Sequence, residues 1–442
     1  MRWTVLVLAL SCGGVACGKK TTQKRAGDAA PVEVVTSVNL PDASAGTAAD
    51  EVEPNDSEDV ATPLALEGSV HGRIDPEADV DTYTLEVTQA GALAIDVQTP
   101  EGVDLTVELE DAAGSLIAKS DRGGAKVREG IPNAGVTPGR YLAIVRGKKV
   151  VVPGKKPAKP PRSAKGKTGA PPVDAGVPAP APAYEISVHF AVPTGNAERE
   201  PDGDRGTAND LIVGDAVSGF VGWSGDDDVW KLSVETLSAK NAIDVEVSAV
   251  EGVALTLEIA DGIGRPLISR KGPRGAPLVV RGLVPVVPDG APPFHYVTVG
   301  GDRSNPETPY QLKVTSKGLV TDGELEPNDA PDKAMAMPAD RTVVHGTWSP
   351  GDVDCYAVAV DQAARTLDAT IVGQGSSDAD LAGELFVDGK SVAKANKGGK
   401  GVAEKVGAPV PAGAQAVVCV RGSDASPEGA YDVQLQEGPA AP

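Results

Sequence analysis

The chain has 442 residues, with 52 Gly, 37 Pro, 3% aromatic residues and a net charge of −21. That length suits two to four domains at a typical ~100–200 residues each. The composition favours short strands and turns over long helices, and the acidic balance excludes a general nucleic-acid binder.

Met1-Arg2 supplies a positive start, residues 3–10 a short apolar run, and Gly14-Val15-Ala16 small residues before Cys17. This resembles a bacterial lipoprotein signal over 1–16, with Cys17 as the lipid-bearing residue after cleavage. Gly14 stands where the family prefers Leu, and Cys12 is a competing site. An ordinary secretory signal is the open alternative. Each buried CH2 contributes about 0.8 kcal/mol, so several acyl chains, palmitate among them, anchor stably where one does not. The resemblance implies a membrane partner through the lipid anchor and a place in the cell envelope. Gly18, rather than Asp, implies the outer membrane, facing periplasm or medium. Residues 17–50 have little periodicity and read as a lipidated disordered tether. No later apolar run approaches the ~18 residues of a membrane span.

From residue 51 the pattern is period two. Tyr83, Leu85 and Val87 alternate with polar residues, as do Leu93, Ile95, Val97 and then Leu105, Val107, Leu109. The same beat returns in Trp230, Leu232, Val234; Ile243, Val245, Val247; and Leu255, Leu257, Ile259. It returns again in Tyr356, Val358, Val360; Leu367, Ala369, Ile371; and Leu381, Leu385. One apolar face per short strand predicts half-buried antiparallel sheets. Asp111 to Gly114 and Asp261 to Gly264 read as turns, and Tyr184, Tyr296, Tyr310 and Tyr431 as marks of closing strands.

A longer motif runs through these units. Glu53-Pro54-Asn55-Asp56 leads to Asp79-Val80-Asp81-Thr82-Tyr83. Glu326-Pro327-Asn328-Asp329 leads to Asp352-Val353-Asp354-Cys355-Tyr356. The middle copy is worn: Glu200-Pro201-Asp202-Gly203, then Asp226-Asp227-Asp228-Val229-Trp230. In each, 26 residues separate the Glu from the first Asp, and a Gly (Gly72, Gly219, Gly346) lies between. These motifs resemble the bacterial pre-peptidase C-terminal (PPC) domain over most of 51–437. The resemblance implies an all-β chain of three tandem jelly-roll-like antiparallel β-sandwich domains. Their bounds are 51–194, 195–320 (degenerate) and 321–438. The sequence leads us to expect no peptidase domain beside them.

Each copy joins Glu, Asn or Asp, and two Asp. Hard cations take six to eight oxygen ligands of this kind. If the two segments meet, Glu53, Asn55, Asp56, Asp79 and Asp81 form one oxygen cage. Glu326, Asn328, Asp329, Asp352 and Asp354 form another. The resemblance points the same way, since some members of the family bind Ca2+ near this linker. Turns capped by Asn and Asp are the open structural alternative.

The first unit carries a 36-residue insertion, 148–183, with eight basic residues against one acid. Lys148, Lys149, Lys155, Lys156, Lys159, Arg162, Lys165 and Lys167 read as an arm for an anionic polymer, or as a tolerated Pro-rich insertion. Cys355 and Cys419 fall on the outer parity of their strands and read as a disulfide, with unpaired thiols the alternative.

His-Glu-x-x-His, nucleophile-elbow and phosphate-loop patterns are missing from the sequence. Trp223, Trp230 and Trp348 read as core packing, with a sugar-stacking platform the alternative. The sequence therefore predicts a non-catalytic envelope lipoprotein binding a polysaccharide or protein, not nucleic acid. The second prediction is an accessory subunit of an envelope peptidase or transport complex.

Overall fold

The computed structural model describes residues 48–75, 78–124, 127–148, 181–192, 195–223, 225–238, 240–319, 323–338, 340, 342–375, 379–423 and 428–439. Cys17, the signal, most of the tether and every basic residue of the insertion after Lys148 lie outside them. The described chain is nearly all β, its one helix among these residues being a 3-10 turn at Glu58–Val60.

Six sheets of four or five strands pack around three hydrophobic clusters. The first cluster lies between two sheets. One runs in the order Ala49–Asp50, Ser69–Gly72, Tyr184–Ala191, Gly91–Gln98, Glu129–Val136. The other runs Thr62–Pro63, Val80–Val87, Gly139–Lys148, Asp104–Asp111, Leu116–Ser120. The second and third clusters sit between sheets of matching order. Pairing is antiparallel except at short edge strands such as Thr62–Pro63, which runs parallel to Val80–Val87.

The alternating residues are the cores. Leu85, Leu93, Ile95, Val107, Leu232, Val245, Leu257, Leu367 and Leu385 are all fully buried. Burying such a side chain contributes about 1.5–3 kcal/mol. The Asp turns close as expected: Asp111 Oδ1 accepts from the Ala113 and Ser115 amides, and Asp261 Oδ1 from those of Ile263 and Arg265. Gly114 and Gly264 take the left-handed conformation there, at φ 77° and 86°.

One assignment needs correction. Val360 is exposed, because its strand ends at Val358. Tyr296 lies inside the strand Phe294–Gly301 on its outer face, edge-on to Phe294 at 5.3 Å, while Val297 and Val299 face the core.

Trp230 and Trp348 are buried in the second and third clusters, and Trp223 packs against the first. Cys355 and Cys419 are register partners joined by a disulfide with S–S 2.08 Å. They point away from the main core but are buried, under Ala334, Val353 and Phe386.

Candidate metal centres at the Glu-Pro turns

The spacing of 26 residues has a local cause. In each copy the Glu carboxylate accepts from the amide two residues on: Asn55 N–H to Glu53 at 3.0 Å, Asp202 to Glu200 at 3.0 Å, Asn328 to Glu326 at 2.6 Å. That closes a turn whose Glu-Pro bond is cis in all three. The turn then accepts from the strand after Asp-x-Asp. Thr82 N–H donates to Asn55 O at 3.0 Å, Val229 to Asp202 O at 3.2 Å, and Cys355 to Asn328 O at 3.1 Å. The acidic ends therefore meet.

Each meeting forms a cup of carboxylates whose oxygens lie within 4.8 Å of one another. The first cup holds Glu51, Glu53 and Asp81; the second Glu198, Glu200, Asp202 and Asp228; the third Glu324, Glu326, Asp352 and Asp354. Glu51, Glu198 and Glu324 were not among the sequence candidates. Their signal is present: every copy reads Glu-x-Glu-Pro, and in an extended segment alternation puts both Glu on one side.

Two sequence candidates fall outside the first cup. Asp56 is exposed, and Asp79 turns back to accept from the Asp75 and Val80 amides at 2.8 and 3.1 Å. Asn55 and Asn328 are buried beside their cups and donate to Glu51 and Glu324, leaving each Oδ1 without a partner. Asp329 sits at the rim of the third cup, paired with Arg270.

The back wall of every cup is an aromatic pair over a glycine. Tyr83 and Tyr184 share a 2.7 Å hydroxyl contact, Tyr356 and Tyr431 another, and Trp230 Nε1 donates to the Tyr310 hydroxyl at 2.8 Å. Tyr184 and Tyr431 then donate to Asp81 and Asp354. A Cβ on Gly72, Gly219 or Gly346 would stand within 2.6 Å of these hydroxyls, so only glycine admits the rings.

The cups differ in charge balance. The second gathers Glu198, Glu200, Asp202, Asp226 and Asp228, all nearly fully buried. Burial, then mutual repulsion, pushes Asp202 up to about 9 and Asp226 up to about 8, and raises Glu198 and Asp228 well above the carboxylate range. Among the described residues no Lys or Arg pairs with these five acids. Both oxygens of Asp228, and Asp202 Oδ1, are buried without a well-formed hydrogen bond, although the Tyr310 hydroxyl lies beside Asp228. Oxygen-only donors at this density suit a hard divalent cation. In the first cup burial pushes Asp81 up to about 8, but Glu53 is open to solvent.

A pH dependence follows from the second cup. Its folded carboxylates hold protons that the unfolded chain releases above about pH 4. The folded state binds more protons between there and about pH 9, so its stability falls as pH rises through that window. In chelator, denaturant unfolding followed by Trp fluorescence should show a lower midpoint at pH 8.5 than at pH 5. A midpoint that rises instead would contradict protonated, metal-free acids in the cup.

No family model matches the chain, and no curated protein does. Among solved structures it is similar to the pre-peptidase C-terminal domain of a Bacillus anthracis collagenase. That match has 18% identity over 29% of this chain and 93% of that one, at a TM-score of 0.19. A tandem CBM22 domain of Paenibacillus barcinonensis Xyn10C matches at 12% identity over 47% and 82%, at a TM-score of 0.16. TM-scores this low assign neither a family nor a ligand.

Proposed function

We propose that the chain is a non-catalytic envelope lipoprotein built of tandem PPC-like β-sandwich modules, which bind a wall or extracellular polymer, with Ca2+ as a structural cation. The observation that carries the metal part is the second cup: five buried acids with no basic partner among the described residues. Buried charges of one sign must be protonated or paired with a cation. Glu198, Glu200, Asp202 and Asp228 would hold the ion, and the ion would supply fixed positive charge with no redox chemistry.

A binding role is supported by how the chemistry-bearing side chains are spent. Cys355 and Cys419 are bonded to each other, and buried His295 contacts its neighbour's carbonyl. The disulfide and the Cys17 signal both fit an oxidising compartment outside the cytoplasm. Within the basic arm, Lys148 pairs with Asp121.

Titration of the chelator-stripped full chain with Ca2+ tests the reading. Binding heat and a raised melting temperature are expected, about 2.7 kcal/mol of stabilisation at one hundred times Kd. Asp228→Asn should remove most of that gain. No heat and no shift would discard Ca2+, and extraction from the envelope in Ca2+ would then show whether a polymer still accompanies the chain.

A further inference from the structure

The third cup already contains a cation, and it comes from the preceding sandwich. Arg270 stands on Pro266–Lys271, where Ile268 and Arg270 are the buried, inward positions. Its guanidinium leaves its own sheet and enters the next cup, pairing with Glu326, with Asp329, and with Asp352 at 2.5 Å. Its side chain is 1% exposed. The facing carboxylates outweigh the cost of burial and hold it charged.

The two joints of the chain are otherwise built alike. Before the second cup, Ala134 bridges to Glu200, and the Gly135 amide donates to Glu200 O at 2.7 Å. Before the third cup, Leu283 bridges to Glu326, and the Val284 amide donates to Glu326 O at 3.1 Å. The ladder position that holds Arg270, opposite Leu257, holds Ser120 in the first sandwich, opposite Val107. Ser120 turns to Glu129 at 2.6 Å. Among the described residues, the side chain that the second cup receives from that side is the Asn133 amide, which donates to Glu198 at 2.5 Å.

We propose that Arg270 is the resident cation of the third cup, closing it to divalent ions and locking that joint at any ion concentration. The second cup, whose Asp228 is buried with neither oxygen in a well-formed hydrogen bond, takes its cation from solution, so the joint before it tightens only when the ion is present. The second half rests on the Ca2+ reading above. A tethered guanidinium competes at a local concentration that free ions do not match. Its displacement would leave a buried charge unpaired.

The test uses the chelator-stripped full chain, CaCl2, isothermal titration and amide exchange. At ten times Kd, Ca2+ should slow exchange about tenfold around residues 131–136 and 196–202. Residues 279–284 and 324–328 should not change. Arg270→Ser should bind one more ion than wild type and make the second joint respond to Ca2+. Should that variant fail to fold, two others decide: Asp354→Asn should leave the ion count of wild type alone, while Asp228→Asn lowers it by one. The Arg270 assignment is overturned if Ca2+ protects both wild-type joints equally, if Asp354→Asn lowers the count, or if folded Arg270→Ser gains no ion. A wild type that binds no ion overturns the solution-cation half alone, because Arg270→Ser still gains or fails to gain its site.

Discussion

Replacing Trp230 by alanine should cost the second core about 3–5 kcal/mol, the range for truncating a large buried aromatic. Trp230 is 1% exposed and belongs to that core. The substitution also strips the Tyr310 hydroxyl of its 2.8 Å donor, and Tyr310 lies beside Asp228. The loss is a large part of a typical ~5–15 kcal/mol domain stability. Trp230→Tyr restores the residue type that the other copies carry at this place, Tyr83 and Tyr356, and should cost under about 1.5 kcal/mol. Denaturant unfolding with exchange read at residues 241–247 would separate the two. A Trp230→Ala loss below about 1 kcal/mol would move the ring out of the core and reopen a sugar-stacking platform.

Breaking the Cys355–Cys419 bond should cost the third core roughly 4 kcal/mol on the chain-entropy model. The bond closes a loop with a sequence separation of 64, which sets the denatured-state freedom it removes. Cys355→Ala with Cys419→Ala should lower the unfolding midpoint of residues 365–373 and leave 241–247 unchanged. Reducing agent should reproduce the loss in wild type and do nothing to the double variant. Equal sensitivity of the two would show that reduction acts elsewhere.

Much of this was legible in the chain. Period-two alternation placed the core residues, because successive side chains of a strand face opposite sides. The repeated Glu-Pro and Asp-x-Asp segments do meet, tied by bonds such as Cys355 N–H to Asn328 O. The middle copy misled. Asp202 in place of Asn reads as decay, yet it adds a carboxylate, and that cup is the least partnered of the three. Asp56 looked equivalent to Asp329, but Asp56 is exposed while Asp329 meets Arg270.

What the sequence determined by itself is therefore the strand pattern, the turns and the three pairs of acidic segments, since each follows from local spacing. Which gathering already holds a cation of the chain's own was decided only by tertiary structure. Arg270 lies 56 residues before Glu326, on a different sheet, and no periodicity links them. The link exists because one sandwich seats against the next and buries a guanidinium where its own core ends, and charge pairing under low dielectric depends on that seating.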